Sequence, residues 1–424
     1  MIILNFILHI TNIINNLKYS KTQIKKLGST IRKEFGQNKE ISEDTLKILH
    51  EYRVSFKEPM TQIFDKVTEI SRIVQKGDVR TYRIKRIESI ISKLLREKTM
   101  GLLEMGDIAG CRIIVSNPKH IQKIVSLIKN KLNVVDTRDY ISEPRESGYK
   151  SYHLMIKPDI DDNFKRLVEV QIRTIKHHNW ATLVEITDQL FKVKVKEGEN
   201  NEILKKFHYL RSKSISSLTI DEMKEIIDIE KNHEIYKKII SVIIKNYIKI
   251  RSAWMRFEDE NKHNYYILEV NDKFQTNIET FSDFEKAQKS YLKKYINTTN
   301  NVVLTHIESI NFKKLSTAYS NYILTFHHYE EEIFNILHDL LLYYSSNKDK
   351  ELFNYYKTYT KQIVRNSRRY FQYSLGKIKN TNYSEEKTKE WIFEIKERLD
   401  NMRMKMEVID KIPEPKGIIH KIFH

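Results

Sequence analysis

Residues 107–115 read DIAGCRIIV and residues 167–174 read LVEVQIRT, and these two stretches decide the fold. The first opens after Gly106 and runs apolar apart from Arg112, which predicts a strand. The second alternates, with Glu169, Gln171 and Arg173 on one side and Val168, Val170 and Ile172 on the other. Tyr149–Ile156 (YKSYHLMI) alternates in the same way, and Asn133–Ile141 reads as extended. Between the strands, Pro118 starts a helix through Leu132, with Ile121, Ile124, Val125 and Ile128 on one face. Ile175–Leu190 is helical. Upstream, Tyr82–Arg96 reads as a basic amphipathic helix with Ile84, Ile87, Ile90, Ile91, Leu94 and Leu95 on its apolar side, so Arg83 and Lys85 stand at a helix start. The expectation is an α+β unit with a mixed sheet of the five-stranded type and flanking helices.

Outside this unit the chain reads as mostly helical. Apolar positions recur at helical spacing through Ile41–Val54 and Met60–Val74, with Glu58-Pro59 as the break. Asn201–Arg256 is helical, Tyr265–Asn277 reads as a hairpin turning at Asn271-Asp272, and Val302–His306 is a strand between helices at Phe284–Tyr295 and Phe312–Tyr319. Long helices follow from Tyr329. The expected divisions are a helical segment at 1–49, the α+β unit at 50–195, a helical connector at 196–257, a small α+β unit at 258–328 and a helix-rich region at 329–424. Met1–Ile14 (MIILNFILHITNII) is shorter than the roughly 20 apolar residues a bilayer needs and lacks a signal-like basic start. It reads as a buried or partner-docking helix, in a cytoplasmic protein without a membrane partner.

With 40% hydrophobic and 11% aromatic residues, and only 10 Gly and 6 Pro in 424, collagen-like, linker-like and disordered classes are excluded. Cys111 is the one cysteine, which excludes an intramolecular disulfide and a multi-cysteine zinc site and fits a reducing compartment. The net charge of +18 favours an anionic partner: nucleotide, RNA or an anionic surface. Part of that excess is solvated lysine.

Charged residues gather at the ends of the central strands. Asp107 and Glu169 supply the hard oxygens that one Mg²⁺ would take, since this ion commonly uses one or two protein carboxylates plus phosphate and water. Arg83, Lys85, Arg138 and Arg145 suit phosphate clamping, and Tyr149, after Gly148, suits stacking on a base. Each has a plainer alternative: Asp107 as a strand-end charge, Glu169 as a sheet-edge carboxylate, Gln171 and His153 as sheet-face polar groups, Tyr149 as core. Two carboxylates among cations with a stacking aromatic are what phosphoryl or pyrophosphoryl transfer requires.

In sequence order these pieces are R-x-K-x-x-x-S at Arg83–Ser89, D-I-A-G-x-R at Asp107–Arg112, R-D-Y-I at Arg138–Ile141, R-x-S-G-Y-K-S-Y-H at Arg145–His153, E-V-Q-I-R-T at Glu169–Thr174 and H-x-x-W-A at His177–Ala181. The string resembles the synthetase domain of the RelA/SpoT family, the alarmone synthetases, over about residues 50–195. The resemblance implies a nucleotidyltransferase-like fold and transfer of the β,γ-pyrophosphate of ATP to the 3′-hydroxyl of GDP or GTP, giving (p)ppGpp and AMP. It implies Arg83, Lys85 and Arg112 on the ATP side, Asp107 and Glu169 as Mg²⁺ ligands and catalytic carboxylates, and Tyr149 stacked on the acceptor guanine. Arg138, Arg145 and His153 would contact acceptor phosphate or ribose, with Gln171 in support.

The first 80 residues contain no His-Asp dipeptide, and only His9 and His50, so the hydrolase found in long members is not expected. Some relatives are toxins that pyrophosphorylate the 3′ end of tRNA, and some of those carry a fused segment that blocks the ATP site. The basic charge and the long tail keep tRNA as the alternative acceptor, with the C-terminal region as regulator, oligomer contact or docking site for a protein partner. A non-catalytic scaffold would need lesions among the metal or phosphate residues, and none is visible.

Overall fold

The computed structural model describes residues 18–160, 164, 166–193, 201–258, 265–308, 311–324, 328–380 and 383–415; the segment Met1–Ile14 lies outside them. Helix α1 (Lys21–Asn38) opens with a capping box, in which the Ser20 hydroxyl accepts from the Gln23 N–H and the Gln23 side chain accepts from the Ser20 N–H. Ser42 caps α2 (Glu43–Val54), its hydroxyl accepting from the Thr45 N–H. The next break comes at Ser55-Phe56, not at Glu58-Pro59. Pro59 sits in the first turn of α3 (Lys57–Val74), where its missing N–H would have had no partner anyway.

The largest departure from the sequence expectation follows. Tyr82 does not begin a helix: Val79–Ile84 is strand β1, and α4 runs only from Ile87 to Arg96. Arg83 therefore projects from a strand, and Lys85 lies in the short link after it. Thr81, Tyr82 and Ile84 are buried residues of β-forming type, and β1 pairs on both sides, so tertiary pairing overrides a helical period that is genuine only from Ile87 onward. The remaining central elements fall close to expectation: β2 (Ala109–Val115), α5 (Pro118–Lys131), β3 (Val134–Asp139), β4 (Tyr152–Ile156), β5 (Val168–Thr174) and α6 (Ile175–Phe191).

The C-terminal half supplies α7 (Glu202–Ser212), α8 (Ile220–His233), α9 (Ile235–Glu258), the hairpin β6 (Tyr265–Val270) and β7 (Thr276–Phe281), α10 (Phe284–Asn297) and β8 (Asn301–Ile307). The expected Asn271 turn is present, and its side-chain oxygen accepts from the N–H groups of Lys273 and Gln275. Short helices α11 (Phe312–Ala318) and α12 (Ser320–Ile323) precede the long α13 (Tyr329–Ser346), α14 (Lys350–Lys379) and α15 (Glu385–Lys411).

Among the described residues one eight-stranded sheet has the order β3-β4-β5-β2-β1-β8-β6-β7. Only β2 and β5 run parallel; the other neighbours are antiparallel. The expected five-stranded sheet is thus extended through β8, which pairs with β1. One sheet face carries Ala109, Cys111, Ile113, Val168, Val170 and Ile172 into a core shared with α3 and α5. On the opposite face Ile114 joins a second cluster with Trp254, Tyr266, Phe312, Tyr319 and Tyr322. Helices α8, α9 and α13–α15 share a further core with α6 and α7, including Ile186, Phe207, Ile239, Leu337, Tyr356 and Trp391.

Candidate active site

Strand register assembles the site. Gly110 lies beside Glu169 and Arg112 beside Gln171 across β2 and β5. Gln171 lies beside His153, His153 beside Arg138, and Arg83 beside Gly110. Paired residues share a face, so Arg83, Arg112, Glu169, Gln171, His153 and Arg138 all belong to the face opposite the α3–α5 core.

Asp107 stands just ahead of β2. Its Oδ2 accepts from Lys85 Nζ at 2.6 Å and its Oδ1 from Lys93 Nζ at 3.0 Å. Burial opposes ionisation of this carboxyl, yet the two ammoniums hold it below the usual carboxylate range. Burial lowers Lys85 despite Asp107, and the like charges of Lys93 and Arg83 add to the effect. Lys93 is a residue that sequence reading missed. Its position one turn beyond Ser89, on the helix that follows Lys85, was the available signal.

Glu169 is held by its neighbours across the sheet. His153 Nδ1 lies 2.8 Å from Glu169 Oε1, and Gln171 Nε2 donates to Oε2 at 2.7 Å. His153 Nε2 lies 2.9 Å from the Tyr149 hydroxyl. His153 thus bridges the Tyr149 hydroxyl and the Glu169 carboxylate through its two ring nitrogens, a continuous Tyr149–His153–Glu169 chain. Burial would raise the Glu169 carboxyl, but these bonds bring it below its ordinary range, against a like-charge push from Asp107.

Arg138 and Arg145, both exposed, meet at Tyr140, which sequence reading also missed. The Tyr140 hydroxyl accepts from Arg145 at 2.9 Å and Arg138 at 3.5 Å. The Arg145 guanidinium lies 4.5 Å from the Tyr140 ring centroid and 5.7 Å from that of Tyr149. Gly148 has φ +88°, and a Cβ there would run into the Ser212 side chain, so only glycine suits this turn.

Arg112 and the cations near it are engaged differently. Arg112 Nη1 donates to the Ala318 carbonyl at 3.4 Å, and the Arg86 guanidinium lies 6.0 Å from the Tyr322 ring centroid. Tyr319 bonds Thr305, the residue paired with Arg83. Arg173 Nη2 meets His178 Nδ1 at 2.6 Å, and His178 Nε2 meets the Thr317 carbonyl at 2.6 Å. Burial and the neighbouring Arg112 push Arg173 down to about 9. Residues 317–322 thus contact Arg112, Arg86 and, through His178, Arg173.

The donors fit Mg²⁺. Asp107 and Glu169 are both ionised, interact repulsively, and each keeps lone pairs beyond the bonds described. A divalent cation would relieve that repulsion.

Residues 82–192 match the family model described as "Region found in RelA / SpoT proteins". The chain is 34% identical over 154 residues to the GTP pyrophosphokinase YjbM of Bacillus subtilis, an alignment covering 34% of this chain and 70% of that protein. The chain belongs to the RelA/SpoT family. It is 31% identical over 170 residues to a second B. subtilis GTP pyrophosphokinase, YwaC, covering 38% of this chain and 70% of that one. The solved B. subtilis small alarmone synthetase 1 bound to its product pppGpp is 31% identical, with 43% of this chain and 97% of that chain covered and a TM-score of 0.35. As a RelA/SpoT member, this chain is a pyrophosphokinase-type transferase. No helix among its described residues is long and apolar enough to cross a membrane.

Proposed function

We propose that this chain transfers the β,γ-pyrophosphate of ATP to the 3′-hydroxyl of GDP or GTP, releasing AMP. The observation that carries this reading is the pair Asp107 and Glu169 standing between two cation sets. Lys85, Lys93, Arg83 and Arg112 lie on one side, and Arg138, Arg145 and His153 on the other. Mg²⁺ held by the carboxylates would neutralise charge on the transferring group. Lys85 and Lys93 fix Asp107. Glu169, oriented by His153 and Gln171, is the acceptor for the proton of the attacking hydroxyl. Tyr149 stacks on the guanine, and Arg138 and Arg145 hold acceptor phosphate. The test is transfer of label from β,γ-labelled ATP to GDP, GTP or deacylated tRNA offered separately; label on guanine nucleotide supports the reading, and label on tRNA alone overturns it.

A second reading concerns control. The contacts of Ala318, Tyr322 and Thr317 with Arg112, Arg86 and the His178–Arg173 pair favour a C-terminal region that holds the ATP side closed. In that reading the acceptor is the 3′ end of tRNA, and the same labelling assay decides between them.

A further inference from the structure

We propose that Arg53 and Tyr291 are positioning residues for the transfer reaction: they fix the turn Lys85–Ile87 between β1 and α4, and through it the two lysines that grip Asp107. The proposal rests on the reading above for what those lysines do, and it goes further in making the ATP side depend on a helix of the C-terminal half.

A turn that carries a functional side chain holds it only as well as its own backbone is held. The Lys85 N–H donates to the carbonyl of Ile108, next to Asp107, at 2.8 Å. Arg53, on α2, donates from Nη2 to the Ile84 carbonyl at 3.3 Å and from Nε to the Lys85 carbonyl. Arg86 is the N-cap of α4 but supplies no side-chain cap. The Tyr291 hydroxyl, on α10 and 204 residues further along the chain, takes that place and accepts from the Ile87 N–H at 3.2 Å. The Arg86 side chain donates to that of Asn301, the first residue of β8, at 3.2 Å. The Tyr291 ring centroid lies 4.2 Å from the Arg53 guanidinium, so the two residues hold one another as well as the turn.

Stability does not account for Arg53. It is fully buried, burial lowers it, no carboxylate pairs with it among the described residues, and its Nη1 is buried without a hydrogen-bond partner. A lone buried cation is costly where an apolar side chain of similar volume is not. What the guanidinium supplies is a rigid fork, with donors on two successive carbonyls of the chain entering the turn. The turn so held aims Lys85 at Asp107 Oδ2, and α4, capped by Tyr291, carries Lys93 to Oδ1.

The test compares the full wild-type chain with Tyr291→Phe, which keeps the ring over Arg53 and removes the acceptor for the Ile87 N–H. Tyr52→Phe serves as the control, because it removes a hydroxyl bond from the neighbouring residue of α2 to the Leu102 carbonyl, away from the turn. The readouts are amide hydrogen exchange over residues 84–93, transfer rates at varied ATP and at varied GDP, and Tm. Tyr291→Phe should exchange faster over 84–93 and lose about ten-fold in kcat/KM for ATP, with the KM for GDP unchanged and Tm within about 4 °C of wild type. Tyr52→Phe should match wild type in exchange over 84–93 and in ATP kinetics. Arg53→Lys, which keeps the charge and loses the fork, should lower kcat/KM for ATP at least as far as Tyr291→Phe. Unchanged kcat/KM for ATP in Tyr291→Phe overturns the proposal, and so does an equal fall in Tyr52→Phe, which would make both effects general packing. Label reaching tRNA and not guanine nucleotide would instead sink the proposed acceptor, with the ATP dependence of each variant then read on tRNA.

Discussion

Arg112 donates to the carbonyl of Ala318, 206 residues further along the chain, at 3.4 Å. A guanidinium expected to face ATP phosphate is therefore held by the segment that follows β8. Beside it Tyr322 lies against Arg86, and a partly desolvated cation–π contact is worth up to about 2 kcal/mol. Tyr322→Ala in the full chain should lower the KM for ATP by roughly five- to thirty-fold, read from initial transfer rates. An unchanged KM would make the contact simple packing. Truncation after residue 200 is a poorer test, because it removes β8 from β1 and strips Val302, Leu304 and Tyr291 from the shared core. That fragment should be insoluble.

Asp107 and Glu169 carry the reaction in the proposed reading, and each has partners that a neutral isostere cannot satisfy equally. Asp107→Asn keeps an acceptor for only one of the two ammoniums and turns an N–H towards the other, and Glu169→Gln can keep the His153 bond only by turning an N–H towards the Gln171 amide nitrogen. Each should lower kcat by about 10²–10³-fold or more, on the scale of removing a charge-stabilising group. Lys93→Gln should weaken the same step by about ten-fold, the value of one charge-assisted bond. Full turnover in either carboxylate variant, at saturating Mg²⁺, would remove both from the metal site.

Much of the central unit was legible because its strands announce themselves locally. Alternation in LVEVQIRT puts Glu169 and Gln171 on one face whatever the partner, and the β5 register bears this out. Strand β1 was not legible: Ile84, Ile87, Ile90, Ile91 and Leu94 simulate one helical face, while the pairing that makes Val79–Ile84 a strand comes partly from β8, far along the chain. Tyr140 and Lys93 were missed for a related reason. Their importance lies in which charged groups converge on them, and convergence is a property of the fold. The contact of Arg112 with Ala318 left no sequence signal.

In the proposed reading Tyr149 has two separable functions, and two substitutions separate them. The ring packs against Tyr140, His153 and Trp180, while the hydroxyl meets His153. Base stacking is worth about 1–3 kcal/mol, so Tyr149→Ala should raise the acceptor KM by roughly 5- to 150-fold and leave the KM for ATP near wild type. Tyr149→Phe keeps the ring and should change acceptor KM by less than about three-fold, with a fall in kcat if the hydroxyl orients His153. Steady-state kinetics with varied GDP distinguishes the cases. An acceptor KM unmoved by Tyr149→Ala would reduce this ring to core.

His208 gives the fold a dependence on pH. It is buried on α7, its Nε2 lies 2.8 Å from the Thr187 hydroxyl, and its carbonyl accepts from the Trp180 indole at 2.8 Å. Burial first, and the nearby Arg211 second, push it down to about 3. The unfolded chain protonates this ring near its ordinary value of about 6.5. Between those two values the unfolded state binds the extra proton, so stability must rise with pH across the window. The contribution is fully present above about 6.5 and is lost as pH falls toward 3, with a limiting slope of about 1.4 kcal/mol per pH unit. His208→Gln, which retains a hydrogen-bonding group near Thr187, should flatten the fall in unfolding free energy between pH 6 and 4 by up to one proton's worth. His50 and His177, each pushed down to about 4 chiefly by burial, keep part of the slope in the variant. Urea unfolding at pH 7, 6, 5 and 4 measures it, and equal slopes in wild type and variant would show that His208 is not held neutral by the fold.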